Sequence, residues 1–261
     1  MHRGTALWIA AVAATAAAGW WQWRSGPSYP YRSRATLGGA DVRVALPRSH
    51  LTTSPARAAV PGLPAGAAGT VYWRRVTSGG RFAAVPLRPD GSTLAAVIPV
   101  QPRGTCVEYF LEVTAGEGGL RLPPRSPDTV VLRYRDPIPA SLLVAHIAVM
   151  FLAMLFGVRA GLAAVWESDG HRLLTILALA ALTVGGFVLG PIVQKAGFGD
   201  FWTGVPFGWD LTDNKTLVAW IGWAAAAVAS ARQRRRARWV VVLALIVMLG
   251  AFLVPHSVVG G

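Results

Sequence analysis

Five long apolar runs dominate the sequence and limit the folds that the chain can adopt. A helix needs about 20 predominantly apolar residues to cross a bilayer. Runs near this length, bounded by charged residues, Pro or Trp, cover residues 5–21, 140–158, 173–193, 217–231 and 240–254. Because the chain is 53% hydrophobic and only 14% charged, it is too apolar for an ordinary soluble domain. The pattern predicts an α-helical integral membrane protein with about five transmembrane helices.

A dense basic segment at residues 232–238 separates the last two runs and fixes the predicted orientation. Basic loops stay on the cytoplasmic side of a membrane. The N-terminus and residues 159–172 are therefore predicted inside, whereas residues 24–138, residues 194–216 and the C-terminus are predicted outside. We expect a multi-pass protein of the cytoplasmic membrane, with lipid as its immediate partner.

The first apolar run has two interpretations. It is either a retained anchor or a signal peptide that is cut near Ala16, Ala17 and Ala18. The tryptophans that follow it favour the anchor, because Trp residues mark membrane interfaces. The predicted domains are an anchor or signal peptide at 1–23, an exported domain at 24–137 and a four-helix transmembrane domain at 138–261.

Charge and cysteine content exclude two classes of function. The formal net charge is +13, but the Arg residues are spread through the exported domain or gathered at residues 232–238, with no aromatic interleaving and no binding motif. Nucleic acid is therefore not a predicted partner. Cys106 is the single cysteine, which excludes an intrachain disulfide and a thiol pair for disulfide exchange.

Residues 37–134 have the pattern of an all-β domain, with alternating apolar residues broken by Gly and Pro. The alternating positions are Val42, Val44 and Leu46, then Leu94, Ala96 and Ile98, then Val107, Tyr109, Leu111 and Val113. Short strands at this spacing predict a sandwich, and residues 104–113 resemble a strand of immunoglobulin-like or fibronectin type III domains. The expected role is contact with another exported protein, and a spacer without a partner is the alternative.

An aromatic segment fills the predicted outer loop at residues 194–216. Its aromatic residues are Phe198, Phe201, Trp202, Phe207 and Trp209. Flat apolar rings beside glycines suit a large planar ligand at the membrane surface. The alternative is an interfacial segment whose tryptophans only anchor the helices. Asp213 or Thr212 is expected to cap a helix that starts near Asn214.

Phe198-Gly199, Trp202, Trp209-Asp210 and Thr212 resemble the tryptophan-rich "WWD" outer loop of the haem-handling proteins of cytochrome c assembly. In that family the loop contacts haem, and two histidines from flanking helices bind the iron. The resemblance implies haem b, with His146 and His256 as metal ligands and Trp202, Trp209, Asp210, Phe198, Phe201 and Phe207 around the macrocycle. Lys195 and Lys215 are expected to pair with the propionates, or to extend to the interface without a ligand.

His146 also stands out on physical grounds. A histidine inside a membrane span faces the bundle interior, a cavity or a cofactor, because lipid offers it no partner. The alternative is a purely structural role, in which His146 forms a hydrogen bond with a neighbouring backbone carbonyl.

Two functions from different classes remain open. The first is transient haem binding at the outer face, with delivery to an apocytochrome near the exported domain. The second is a non-enzymatic accessory or scaffold subunit of a membrane complex. A transporter is disfavoured because the predicted spans contain no Asp, Glu, Lys or Arg. Enzyme activity is not predicted, since no nucleophile or carboxylate pair is apparent.

Overall fold

The computed structural model describes residues 3–166, 170–232 and 236–254. By its internal contacts the chain divides into two compact units, one formed by Met1–Gly26 with Ile138–Gly261 and the other by Pro27–Pro137. The first unit is helical, and the second is built from β-strands.

Five helices form the described part of the helical unit. They are α1 (Arg3–Ser25), α2 (Ala140–Trp166), α3 (His171–Phe198), α4 (Leu211–Ala231) and α5 (Ala237–Leu253). Each predicted apolar run lies within one of these helices, apart from Val254, which follows α5. Among the described helices, α1, α2 and α3 are long and apolar enough to cross a membrane, and α5 is a shorter apolar helix.

Helix α3 contains a π-helical stretch, Val184–Leu189, between two α-helical parts. Such stretches are rare and leave backbone groups in irregular positions, often beside functional sites. Gly185 and Gly186 are buried in this stretch. A Cβ at Gly186 would lie 2.6 Å from Thr216 Cγ2, so the glycine allows α3 and α4 to approach closely.

Helix α2 packs against α1, α3 and α5. Trp223 of α4 is fully buried, and its indole Nε1 donates a hydrogen bond to Met248 Sδ at 3.1 Å. A Cβ at Gly157 would collide with both of these side chains. Gly157 therefore provides the space in which α4 and α5 meet α2.

Helix α2 extends beyond the apolar run predicted at residues 140–158 and ends at Trp166. Arg159 consequently lies within the helix and is buried. Its guanidinium carbon lies 5.4 Å from the centroid of the Trp8 ring. A cation over an aromatic face is stabilised by the ring quadrupole, so α2 accommodates a charge that the apolar pattern did not place there.

The β unit contains eleven strands. They are β1 (Tyr31–Leu37), β2 (Ala40–Leu46), β3 (Ser49–Leu51), β4 (Ala56–Pro61), β5 (Ala68–Arg75), β6 (Ala83–Pro86), β7 (Arg88–Asp90), β8 (Thr93–Ile98), β9 (Cys106–Ala115), β10 (Gly118–Leu122) and β11 (Val130–Arg135). The predicted β content of residues 37–134 is confirmed.

The strands form three sheets around one core. The largest has the order β3-β11-β9-β5-β6, with β10 also paired to β9; β1 pairs with β2, and β4-β8-β7 form the third sheet. Alternate side chains of each sheet point into one shared cluster of buried residues, as period-2 alternation requires. Tyr109 is fully buried there, and its hydroxyl donates to the Pro47 carbonyl at 2.8 Å.

Candidate functional site

His146 lies on α2 and contacts the π-helical stretch of α3. Its Nδ1 is 3.0 Å from the Gly185 carbonyl oxygen, which also accepts the backbone N–H of Gly190. Because a carbonyl can only accept, Nδ1 carries the proton, and Nε2 of the neutral imidazole keeps its lone pair. This is the backbone hydrogen bond that the sequence left open as an alternative. In metal sites generally, a hydrogen bond of this kind orients the histidine that binds the metal.

A cavity of about 160 Å³, here called the His146 cavity, lies between α1, α2 and α5. Helix α2 contributes His146, Met150 and Met154 to its lining, α1 contributes Gln22, and α5 contributes Phe252. Gly19 of α1 packs so closely on the Phe151 ring that a Cβ would lie 2.5 Å from Cζ. The cavity is thus built mainly by one face of α2.

The last turn of α5 is held by side chains from α1 and α4. Helix ends leave carbonyl groups without partners inside the helix. Here Gln22 Nε2 donates to Phe252 O at 2.6 Å, Trp21 Nε1 to Leu253 O at 2.9 Å, and Lys215 Nζ to Val254 O at 2.6 Å. Sequence reasoning missed the roles of Gln22 and Trp21, because a polar residue at the end of an apolar run looks like an interface residue.

Lys215 therefore has a structural partner, which differs from its predicted pairing with a propionate. A positive charge at the carbonyl end of a helix is favourable. His256, the second predicted iron ligand, lies outside the described residues, and it follows Phe252 by four positions in the sequence.

Asp210 caps α4. Its Oδ1 accepts hydrogen bonds from the backbone N–H groups of Thr212 at 2.8 Å and Asp213 at 3.1 Å, and the helix begins at Leu211. The prediction that Asp213 or Thr212 is the cap, with a start near Asn214, is wrong. The residues that follow Asp210 are mainly polar. The apolar pattern therefore did not include them in the predicted helix.

Asp213 instead organises the outer loop from within. Only 7% of it is exposed, and its Oδ2 accepts from Thr203 N at 2.6 Å, Gly204 N at 3.1 Å, Thr203 Oγ1 at 3.2 Å and Gln194 Nε2 at 3.2 Å. A Cβ at Gly204 would collide with Asp213 and Asn214. Asp213 was not predicted as a functional residue. Its position in the first turn of a helix, beside a Gly-rich loop, is a pattern from which a role in holding the loop could have been predicted.

The structure separates the predicted aromatic residues into two groups. Trp202 packs inward, since its ring stacks on Phe187 at 5.3 Å between centroids and its Nε1 donates to Val205 O at 3.1 Å. Phe187 lies in the π-helical stretch and also meets the edge of Trp220. Trp202 therefore attaches the outer loop to α3 and is part of the scaffold.

Phe207 and Trp209, here called the outer aromatic pair, point away from the scaffold. They are 83% and 87% exposed. Phe201 is 57% exposed, with the Lys195 ammonium 5.2 Å from its ring centroid. Phe198 is half-buried at the end of α3. The loop thus presents large apolar rings on a frame fixed by hydrogen bonds.

The structure joins some of the predicted residues and not others. It brings Lys195 to Phe201, whereas Trp202 faces Phe187, Lys215 faces the end of α5, and Asp210 faces its own helix. The lining of the His146 cavity, as far as the described residues define it, comes from α1, α2 and α5. His146 and the outer aromatic pair consequently form two separate features.

The β unit offers little reactive chemistry. Cys106 on β9 is half-buried, and burial raises the pKa of its thiol while the Arg133 charge opposes the shift. A thiol with a raised pKa is a poor nucleophile. Within the described residues, no group of three or more His, Cys, Asp or Glu side chains could hold a metal ion.

Comparison of the sequence with protein-family models gives no matching family, and a search of curated proteins gives no matching protein.

Proposed function

We propose that this chain is an integral membrane protein that handles haem at its extracytoplasmic face, for cytochrome c assembly or a related redox process. In this proposal the helical unit lies in the cytoplasmic membrane with the basic residues 232–238 inside. The β unit and the outer loop then lie outside, where an apocytochrome or another membrane-complex subunit can reach them.

The observation that carries the proposal is the position of His146 in the His146 cavity. Its Nδ1 is engaged with Gly185 O, so Nε2 is the nitrogen left to bind iron. Phe252 lines the same cavity, and His256, the second ligand in this proposal, follows it by four positions in the sequence.

The residues fit the iron better than they fit the whole macrocycle. A neutral imidazole oriented by a backbone carbonyl is a suitable iron ligand. The cavity volume of about 160 Å³ is below the roughly 300 Å³ at which pockets for drug-sized ligands begin, so it can enclose only the surroundings of the iron. His146 and His256 would hold the iron, and bound haem would supply one-electron redox chemistry.

The outer aromatic pair supports a role for the loop in binding. Large exposed apolar patches mark sites that contact a ligand, a protein partner or a membrane. Asp213 and Trp202 keep the loop in place, so Phe207 and Trp209 can offer their faces without a loss of loop order. Their role in the proposal is contact with the planar ligand during its transfer.

The same exposed rings favour a second candidate function, an accessory or scaffold subunit of a membrane complex. Trp and other aromatic residues are enriched at the centres of protein interfaces. In this case Phe207 and Trp209 would bind another subunit, and His146 would serve only to join α2 to α3.

One purification separates the two functions. The full-length protein is isolated in mild detergent from haem-replete cells, and its extractable haem and co-purifying subunits are quantified. Close to one haem per chain is the expected result. Haem-free protein with stable stoichiometric partners would contradict the haem proposal and support the accessory function.

A further inference from the structure

Two methionines follow His146 along the same face of α2. His146, Met150 and Met154 are spaced four residues apart, and residues at this spacing lie above one another on a helix. All three side chains line the His146 cavity. The side chains of one histidine and two methionines therefore line one small space within the helical unit.

The chemistry of these donors selects a class of metal ion. Thioether sulfur is a soft ligand that favours Cu(I), whereas Mg²⁺ and Ca²⁺ require oxygen ligands. Among the described residues of the lining there is no carboxylate. Gln22 contributes at most one amide oxygen, since its Nε2 donates to Phe252 O. The cavity thus offers nitrogen and sulfur without the oxygen set of a hard cation.

The size of the cavity and the flexibility of its ligands agree with a single ion. About 160 Å³ is several times the roughly 30 Å³ share of one water molecule and is too small for a whole macrocycle. Methionine has three rotatable bonds and adapts to irregular spaces. The Nδ1 bond to Gly185 O holds the imidazole while the two thioethers can adjust.

We propose that His146, Met150 and Met154 form a binding site for a soft monovalent cation, Cu(I). The site does not require the proposed haem function. Nε2 of His146 would be the ligand in either case, so Cu(I) and haem exclude each other on one chain.

The test is a titration of the haem-free, full-length protein in detergent. Ag(I) serves as a redox-stable probe, and anaerobic Cu(I) competes against a chromophoric chelator. We expect one ion per chain for the wild type and affinity lowered by about tenfold or more in Met150→Leu and Met154→Leu. Met248→Leu is the matched control, because the Met248 sulfur faces Trp223 Nε1 away from the cavity lining, and it should bind like the wild type.

Leucine is close to methionine in volume, and such exchanges are tolerated well in cores. X-ray absorption at the copper edge gives a second readout, with sulfur expected in the first shell. A wild-type protein that binds no Ag(I) or Cu(I), methionine variants that bind as tightly as the control, or a shell without sulfur would each overturn the site.

Haem measurements on the same variants distinguish this proposal from the previous one. Met150→Leu and Met154→Leu should keep their haem, whereas His146→Ala should lose both ligands. Cu(I) binding in a protein that takes up no haem would contradict only the haem function. Haem binding without Cu(I) binding would contradict only the metal site.

Discussion

At the scale of single residues, the outer loop depends on one buried carboxylate. Asp213 gathers the backbone N–H groups of Thr203 and Gly204 and the Gln194 amide on a single oxygen. Charge-assisted bonds of this kind are stronger than neutral ones. The outer aromatic pair is exposed because this carboxylate, rather than the aromatic rings themselves, holds the loop together.

Asp213→Ala tests this role. The substitution leaves buried N–H groups without an acceptor, which costs about 1–3 kcal/mol. We expect a lower free energy of unfolding and faster proteolysis within the loop. Asp200→Ala is the control, since Asp200 is exposed on the same loop and should change neither quantity. Equal behaviour of the two variants would show that Asp213 does not organise the loop.

At the scale of elements, the π-helical stretch is the feature on which the site depends. It presents the Gly185 carbonyl to His146 and the Phe187 ring to Trp202. It also places Gly186 against Thr216 of α4. One irregular segment of α3 thereby connects the candidate ligand, the outer loop and the neighbouring helix.

Gly186→Ala should therefore disturb more than its own helix. The added methyl meets Thr216 Cγ2, and overpacking of this kind costs about 1–3 kcal/mol. Gly250→Ala is the control, because nothing lies within 4 Å of its Cβ position and alanine favours a helix. Thermal unfolding of the two variants should show a loss for Gly186→Ala and no loss for Gly250→Ala. The opposite order would contradict the close packing of α3 on α4.

The sequence predicted these elements better than it predicted their details. Apolar runs located all five helices, since the hydrophobic signal is long and continuous. The first turn of α4 is polar, so the apolar pattern did not include it. The residues of the π-helical stretch are as apolar as those around it, so nothing in the sequence indicated it. Nothing in the sequence distinguished Trp202 from Trp209. In the structure Trp202 packs inward because its ring stacks on Phe187, whereas Trp209 is exposed.

At the scale of the whole molecule, the chain combines a helical unit with a β unit that has a core of its own. Residues 27–137 expressed alone should therefore fold. We expect a β-type circular dichroism spectrum and one cooperative unfolding transition. A Leu111→Ala variant, which removes a fully buried side chain of β9, should unfold about 2–5 kcal/mol more easily. A spectrum without a transition would show that the β unit needs the helices.

The central claim is that His146 presents Nε2 to iron, and absorbance spectra test it most directly. Full-length wild type, His146→Ala and His256→Ala are purified in mild detergent from haem-replete cells, and each is recorded oxidised and after reduction with dithionite. The account predicts a Soret band with b-type reduced bands for the wild type, and loss of this spectrum in His146→Ala. A folded wild-type protein without a Soret band, or an unchanged spectrum in His146→Ala, would contradict it.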